Sequence, residues 1–263
     1  VSDAISSTHP ANNVDVFIAF NENSTKVAEK QTYIKSKNFI SGLPKRYFRT
    51  KKSFNLRVKN KKDVLFLSGV LYRGNVSSFN GNLSDINRYY KEKYLIKNIL
   101  TKIPHKVYYK PYLLENLRYL DTDPAIKLLK KSKNISLIKE KVDARYILSD
   151  YEVLIVQGAS STLSWLIFSK KPIIFINDKD QCPVNKEVTK LLKTSLFYFD
   201  CNNKNFQKDI LTILSKPVNE IKSLYKKKEK NREKLIKLFF STYNMNSGKR
   251  AANFIENNYF NKQ

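Results

Sequence analysis

The run at residues 143–178, DARYILSDYEVLIVQGASSTLSWLIFSKKPIIFIND, decides how the chain reads. It alternates short helix, strand, tight turn, helix and strand. VLIV at 153–156 and IIFI at 173–176 are short apolar runs rich in β-branched residues, the pattern of strands covered on both faces. Gly158 ends the first run, and Ser160, Ser161 and Thr162 open the next helix. Such a turn sets free backbone N–H groups and three hydroxyls at the positive end of a helix dipole, which suits a phosphate. The same residues also fit an ordinary Ser/Thr cap, although a cap needs only one hydroxyl.

Upstream of that run, VDVFIAF at 14–20 reads as a strand, residues 24–31 as a helix and 38–40 as a second strand. Gly42-Leu43-Pro44-Lys45 is a turn by composition. The basic stretch 49–62 is the best linker candidate. DVLFL at 63–67 starts a new series, followed by a long polar loop over 68–84. Residues 85–102 show a helical face of Ile86, Tyr89, Tyr90, Leu95, Ile96, Ile99 and Leu100. KVYY at 106–109 is a strand ending at Lys110-Pro111, a helix begins near Pro124, and 134–138 is another strand.

Downstream, 197–200 is a last strand. Helices follow at 206–214, at 218–243 (long and very basic) and at 248–258. Strands and helices alternate from residue 63 to about 215, which predicts an α/β, Rossmann-like, mostly parallel sheet with a C-terminal helical segment. The expected organisation is an N-terminal segment and linker at 1–60, a nucleotide-binding domain at 61–215 and basic helices at 216–263. In such sheets ligands bind outside the carboxyl ends of the strands. The loops after Leu67, Tyr109, Ile138, Gln157 and Ile176 are expected on that edge.

The 263 residues are 41% hydrophobic and 13% aromatic, enough for a substantial core. The chain starts at Val1 with strands close behind, which reads as a piece of a longer protein. Cys182 and Cys201 stand 19 apart without a histidine cluster, so neither a disulfide framework nor a zinc site is expected, and the compartment reads as reducing cytosol. No apolar run approaches the roughly 20 residues of a membrane span.

Lys and Arg number 49 against 23 Asp and Glu, for a net charge of +26. Such a surface attracts polyanions: nucleic acid, anionic lipid or phosphorylated substrates. Abundant Lys and Asn also fit an AT-rich genome, which inflates lysine without function. No helix-turn-helix, RRM or zinc-finger signature supports nucleic-acid binding. No GxGxxG or GxxxxGK[ST] loop supports a dinucleotide or P-loop site. A non-catalytic α/β scaffold remains the plain alternative.

Candidate chemistry falls on the proposed ligand edge and near the N-terminus. His9 is a candidate general base, because histidine titrates near neutral pH, or a loop histidine. His105 reads as a surface residue. Lys110 and Arg73 are candidate cations for a phosphate, or solvated residues of a basic protein. Tyr72, Tyr109 and Tyr112 suit stacking on a base or sugar, or core packing. Asp178 and Asp180 suit sugar hydroxyls or acid–base work, or a turn cap.

The run SDYEVLIVQGASSTLSWLIFSKKPIIFIND resembles the nucleotide-binding half of GT-B glycosyltransferases that build bacterial surface carbohydrates such as capsule and lipopolysaccharide. VDVFIAFNENSTKVAEK with KNFISGLPKRYF, then KVYYKPY and SGKRAANFIENN, are similar to further segments of those enzymes. CMP-sugar transferases and the CDP-glycerol glycerophosphotransferases of teichoic acid synthesis share the outline. The resemblance implies a metal-independent transferase without a cofactor. It would move a sugar, with CMP as the expected carrier, or glycerol phosphate, to a polysaccharide or lipid-linked acceptor.

It implies donor-phosphate contacts at Gly158, Ser160, Ser161, Thr162, Lys110 and Arg73, and sugar or base contacts at Tyr112 and Asp178. The expected place is the cytoplasm, peripheral at the inner face of the membrane, where lysines between 222 and 237 would meet anionic lipid. Tyr112 stands where these families often carry histidine, and Gly158-Ala159 where the glycerophosphotransferases carry Asp-Tyr.

Overall fold

The computed structural model describes residues 10–33, 36–44, 62–69, 85–111, 124–140, 142–159, 161–179 and 184–260. The chain divides into two compact units, Val1–Arg49 with Glu229–Gln263, and Thr50–Lys228. Residues 216–228, read from sequence with the C-terminal helices, thus belong to the unit that carries the main sheet.

The smaller unit begins with β1 (Val16–Ala19), α1 (Glu22–Gln31) and β2 (Lys37–Ile40). The two strands pair in parallel, with Val16 opposite Lys37 and Ala19 opposite Ile40. Asn21 caps α1: its Oδ1 accepts from the Ser24 amide at 2.9 Å, which satisfies one orphan N–H of the first turn.

The larger unit is a six-stranded parallel sheet. Its elements run β3 (Lys62–Leu67), α2 (Asp85–Leu95), β4 (Val107–Lys110), α3 (Pro124–Leu129) and β5 (Ile135–Leu137). Then come β6 (Tyr151–Gln157), α4 (Ser161–Phe168), β7 (Ile173–Asn177), α5 (Lys186–Ser195) and β8 (Phe197–Asp200). Helices α6 (Phe206–Leu214) and α7 (Val218–Lys226) close the unit. The strand order is β5-β4-β3-β6-β7-β8.

The centre of the sheet holds the core. Val64, Leu65, Phe66, Val153, Leu154, Ile155, Ile173, Ile174 and Phe175 are fully buried. Strands covered on both faces need apolar residues at successive positions, and these three have them. Each fully buried large apolar side chain contributes about 1.5–3 kcal/mol. At the opposite, amino end of the sheet, Glu152 of β6 pairs with Lys171 at 3.7 Å and with Lys222 of α7 at 2.5 Å, tying that helix to the sheet.

The helix expected over 218–243 is two helices. After α7 the chain turns at 227–228, and α8 (Glu229–Phe239) starts where the smaller unit resumes. Helix α9 (Ser247–Ile255) follows and ends in a wider helical turn, Glu256–Phe260. These helices hold the turn after β2. Gly42 has φ +82, and a Cβ there would lie 2.8 Å from the Tyr243 carbonyl. The Leu43 amide donates to Ser241 Oγ at 2.9 Å, and Arg250 donates to the Ser41 carbonyl at 2.7 and 2.9 Å. Among the described residues no helix is long and apolar enough to cross a membrane.

Candidate functional site

The strand order reverses between β3 and β6: the chain builds outward to β5 on one side and to β8 on the other. A crevice outside the carboxyl ends at such a reversal is the usual ligand seat of an open α/β sheet. The ladder brings those ends into line. The Ser68 amide donates to the Lys110 carbonyl at 3.0 Å, Ile138 to Tyr109 at 2.9 Å, Gly158 to Ile176 at 2.9 Å and Cys201 to Asn177 at 3.0 Å.

Gly158 follows β6 directly. It is buried, with φ +70, a left-handed conformation that costs any other residue about 1–2 kcal/mol. The chain turns there and enters α4 at Ser161. The first N–H groups of a helix have no partner within it, so the start of α4 brings donors to the reversal point. Leu163, Leu166 and Ile167 anchor the helix in the core, and Thr162 is half-buried.

Lys110, at the end of β4, is only 5% exposed, so it is not the solvated lysine of the plain reading. Its Nζ donates to the Glu140 carbonyl at 3.0 Å. Asp178, one residue past β7, is 4% exposed and makes no mere turn cap: Lys91 of α2 donates to both its oxygens, at 2.8 and 2.7 Å. Next to Lys91, Glu92 is 1% exposed. It accepts from Tyr109 Oη of β4 at 2.8 Å and from Gln157 Nε2 of β6. Since β4 and β6 flank β3, this carboxylate spans the reversal point.

A cavity of about 300 Å3 opens beside this network, lined among others by Tyr90, Lys91, Tyr94, Gln157, Asp178 and Asn202. Of the expected helical face, Leu95, Ile96, Ile99 and Leu100 are buried, but Ile86 and Tyr90 are 66% and 58% exposed, and Arg88 and Glu92 are buried in their place. Arg88, Glu92, Leu95, Ile96 and Ile99 follow helical spacing, so the buried stripe of α2 and its extension, the wider helical turn Ile96–Leu100, is polar near the ligand edge and apolar away from it. Lys91 and Glu92 were missed in sequence because charged residues at helical spacing read as a solvated face.

His105 is half-buried, with Nε2 2.9 Å from the Lys216 carbonyl, to which it donates. Tyr109 packs in the core against Phe66, ring centroids 5.4 Å apart, and its hydroxyl serves Glu92. The expected site residues His9, Arg73, Tyr112 and Ser160 lie outside the described residues. So do Tyr72, Asp180 and Cys182. Lys110, Gly158, Thr162 and Asp178 are all placed at or next to the carboxyl edge, and the backbone of Ser161 begins α4 there. Among the described residues no three His, Cys, Asp or Glu side chains cluster to hold a metal ion.

No protein-family model and no curated protein matches the chain. Solved structures do. The wall teichoic acid polymerase TagF is 15% identical with a TM-score of 0.47, covering 92% of this chain and 58% of its own. Alr3699/HepE of Anabaena, in complex with UDP and glucose, is 12% identical with a TM-score of 0.49, covering 94% and 65%. The glycotransferase of kitacinnamycin is 15% identical with a TM-score of 0.45, covering 84% and 49%. The chain spans less than two thirds of the length of each. These are likenesses of fold, and residue roles do not transfer through them.

Proposed function

We propose that the chain is the donor-binding part of a GT-B-type glycosyltransferase. It would take a nucleotide-activated sugar, with CMP as the carrier, and pass the sugar to a surface polysaccharide or lipid-linked acceptor. The observation that carries this reading is the left-handed Gly158 turn, which feeds α4 at the reversal point between β3 and β6. The resemblance of the surrounding run to GT-B enzymes supports it. The +26 charge supports an anionic donor and work beside an anionic membrane surface.

In this reading the leaving nucleotide phosphate settles against the start of α4. Backbone N–H groups and the hydroxyls of Ser160, Ser161 and Thr162 take the charge that grows on it as the glycosidic bond breaks. Lys110 and Arg73 add positive charge, and Tyr112 and Asp178 contact the base or sugar. His9 removes the acceptor proton.

The test is calorimetric titration with CMP, CDP, UDP and CDP-glycerol. We expect CMP to bind and affinity to fall about tenfold or more in Ser160→Ala/Ser161→Ala, as for loss of charge-assisted hydrogen bonds. No heat with any nucleotide, or an unchanged affinity in the double variant, defeats the reading. Preference for CDP-glycerol would turn it to glycerol phosphate transfer at the same seat.

A further inference from the structure

The carboxyl edge of the sheet holds a second cavity, of about 730 Å3, between α5 and the ends of β7 and β8. It shares no described lining residue with the cavity beside Asp178. Lys186, Lys190 and Lys193 stand on one face of α5, and Lys179 faces them from the end of β7. Asp200 is the one carboxylate among the described lining residues, and Lys179 pairs with it at 3.2 Å. The rim therefore carries an excess of positive charge.

The floor is different. Asn177 is 2% exposed and lines the cavity, and its Oδ1 has no hydrogen-bond partner among the described residues. A buried acceptor without a donor is costly and marks a place where a ligand or water hydroxyl belongs. Lysine ammonium groups on the rim are point charges suited to a phosphate.

We propose that this cavity binds a phosphorylated sugar or polyol, its phosphate held by Lys186, Lys190 and Lys193 and a hydroxyl donated to Asn177 Oδ1. The inference does not rest on the donor reading, because the two cavities are separate and the nucleotides are titrated on their own. The phosphorylated polyol has two sources, a free metabolite or the headgroup of a lipid. The recognition chemistry is the same for both.

The experiment titrates the full chain with glucose 6-phosphate, with sulfate as an anion that has no hydrogen to donate, and with glucose. Glucose 6-phosphate is expected to bind about tenfold more tightly than sulfate, and glucose not measurably. Lys190→Glu with Lys193→Glu should weaken glucose 6-phosphate about tenfold, while Lys97→Glu with Lys102→Glu, on and just beyond the extension of α2, should change it less than about twofold. Asn177→Ala should reduce glucose 6-phosphate to the affinity of sulfate and leave sulfate unchanged.

Flotation with phosphatidylglycerol and phosphatidylcholine vesicles separates the sources. Binding to the former that glucose 6-phosphate displaces assigns the headgroup, and its absence assigns the free metabolite. Equal binding of glucose 6-phosphate and sulfate, or equal losses in the two lysine pairs, overturns the proposal. Should Asn177→Ala fail to fold, the exposed lysine pairs decide alone.

Discussion

Glu92 shows how a single side chain can tie two strands to a helix. A buried carboxylate is tolerated only where donors meet its oxygens. Here they come from Tyr109 and Gln157, two strands apart. Tyr109→Phe removes one donor and keeps the ring packing. It should cost about 1.5–3 kcal/mol, the range for a hydrogen bond to a charged group, read as a lower urea midpoint at unchanged slope. Gly158→Ala adds a Cβ at a positive φ and should cost about 1–2 kcal/mol. Because that turn leads into α4, the same variant should also weaken nucleotide binding by calorimetry. A variant that is destabilised yet binds nucleotide normally would separate the turn from the site.

At the scale of elements, legibility follows from where the deciding contacts lie. The centres of β3, β6 and β7 were plain because strands covered on both faces must be apolar throughout, and Gly158 marked its own turn. Helix α5 was missed although its signals are local: Asn185 caps it through the Val188 amide, and Leu192 is buried. Interleaved lysines obscure the apolar spacing of that stretch. The first turns of α2 departed from the expected face for a different reason, while Leu95, Ile96, Ile99 and Leu100 are buried as expected. The partners that bury Glu92 are distant in sequence, and no periodicity reports them. The break between α7 and α8 was also hidden, since Ile221, Tyr225, Arg232 and Leu235 keep helical spacing straight across it. Likewise Lys110 and Asp178 could be placed at strand ends, but their burial and the Lys91 ion pair could not.

The Gly42 turn gives a prediction at the same scale. Arg250→Ala removes two hydrogen bonds to the Ser41 carbonyl and the stacking on Tyr243, whose ring centre is 4.6 Å away. It should destabilise the smaller unit by about 2–4 kcal/mol. Hydrogen exchange should show faster amides in β1 and β2 with little change in β6 and β7.

The whole molecule has a pH dependence that tyrosine burial dictates. Tyr151 and Tyr198 are both held above the usual phenol value of 10.0, first by burial and then by nearby acidic groups, Asp150 for one and Asp200 for the other. A raised folded-state value means that the unfolded chain loses these protons first. The contribution is therefore complete below about pH 10 and is lost as pH rises beyond it. Thermal midpoints should fall above that pH, and tyrosinate absorbance should show late-titrating groups that appear only on unfolding. Tyr151→Phe should flatten the alkaline limb. An alkaline limb as steep as that of the unaltered chain would contradict this.

The smaller unit draws on both ends of the described chain, whereas the sheet is continuous. On the ribosome the sheet can therefore assemble as soon as residue 228 has emerged. The β1–β2 pair, translated before the sheet, has to wait for α8 and α9, translated after it, before its turn finds Ser241 and Arg250. That interval is when nascent β1 and β2 are open to proteases and chaperones.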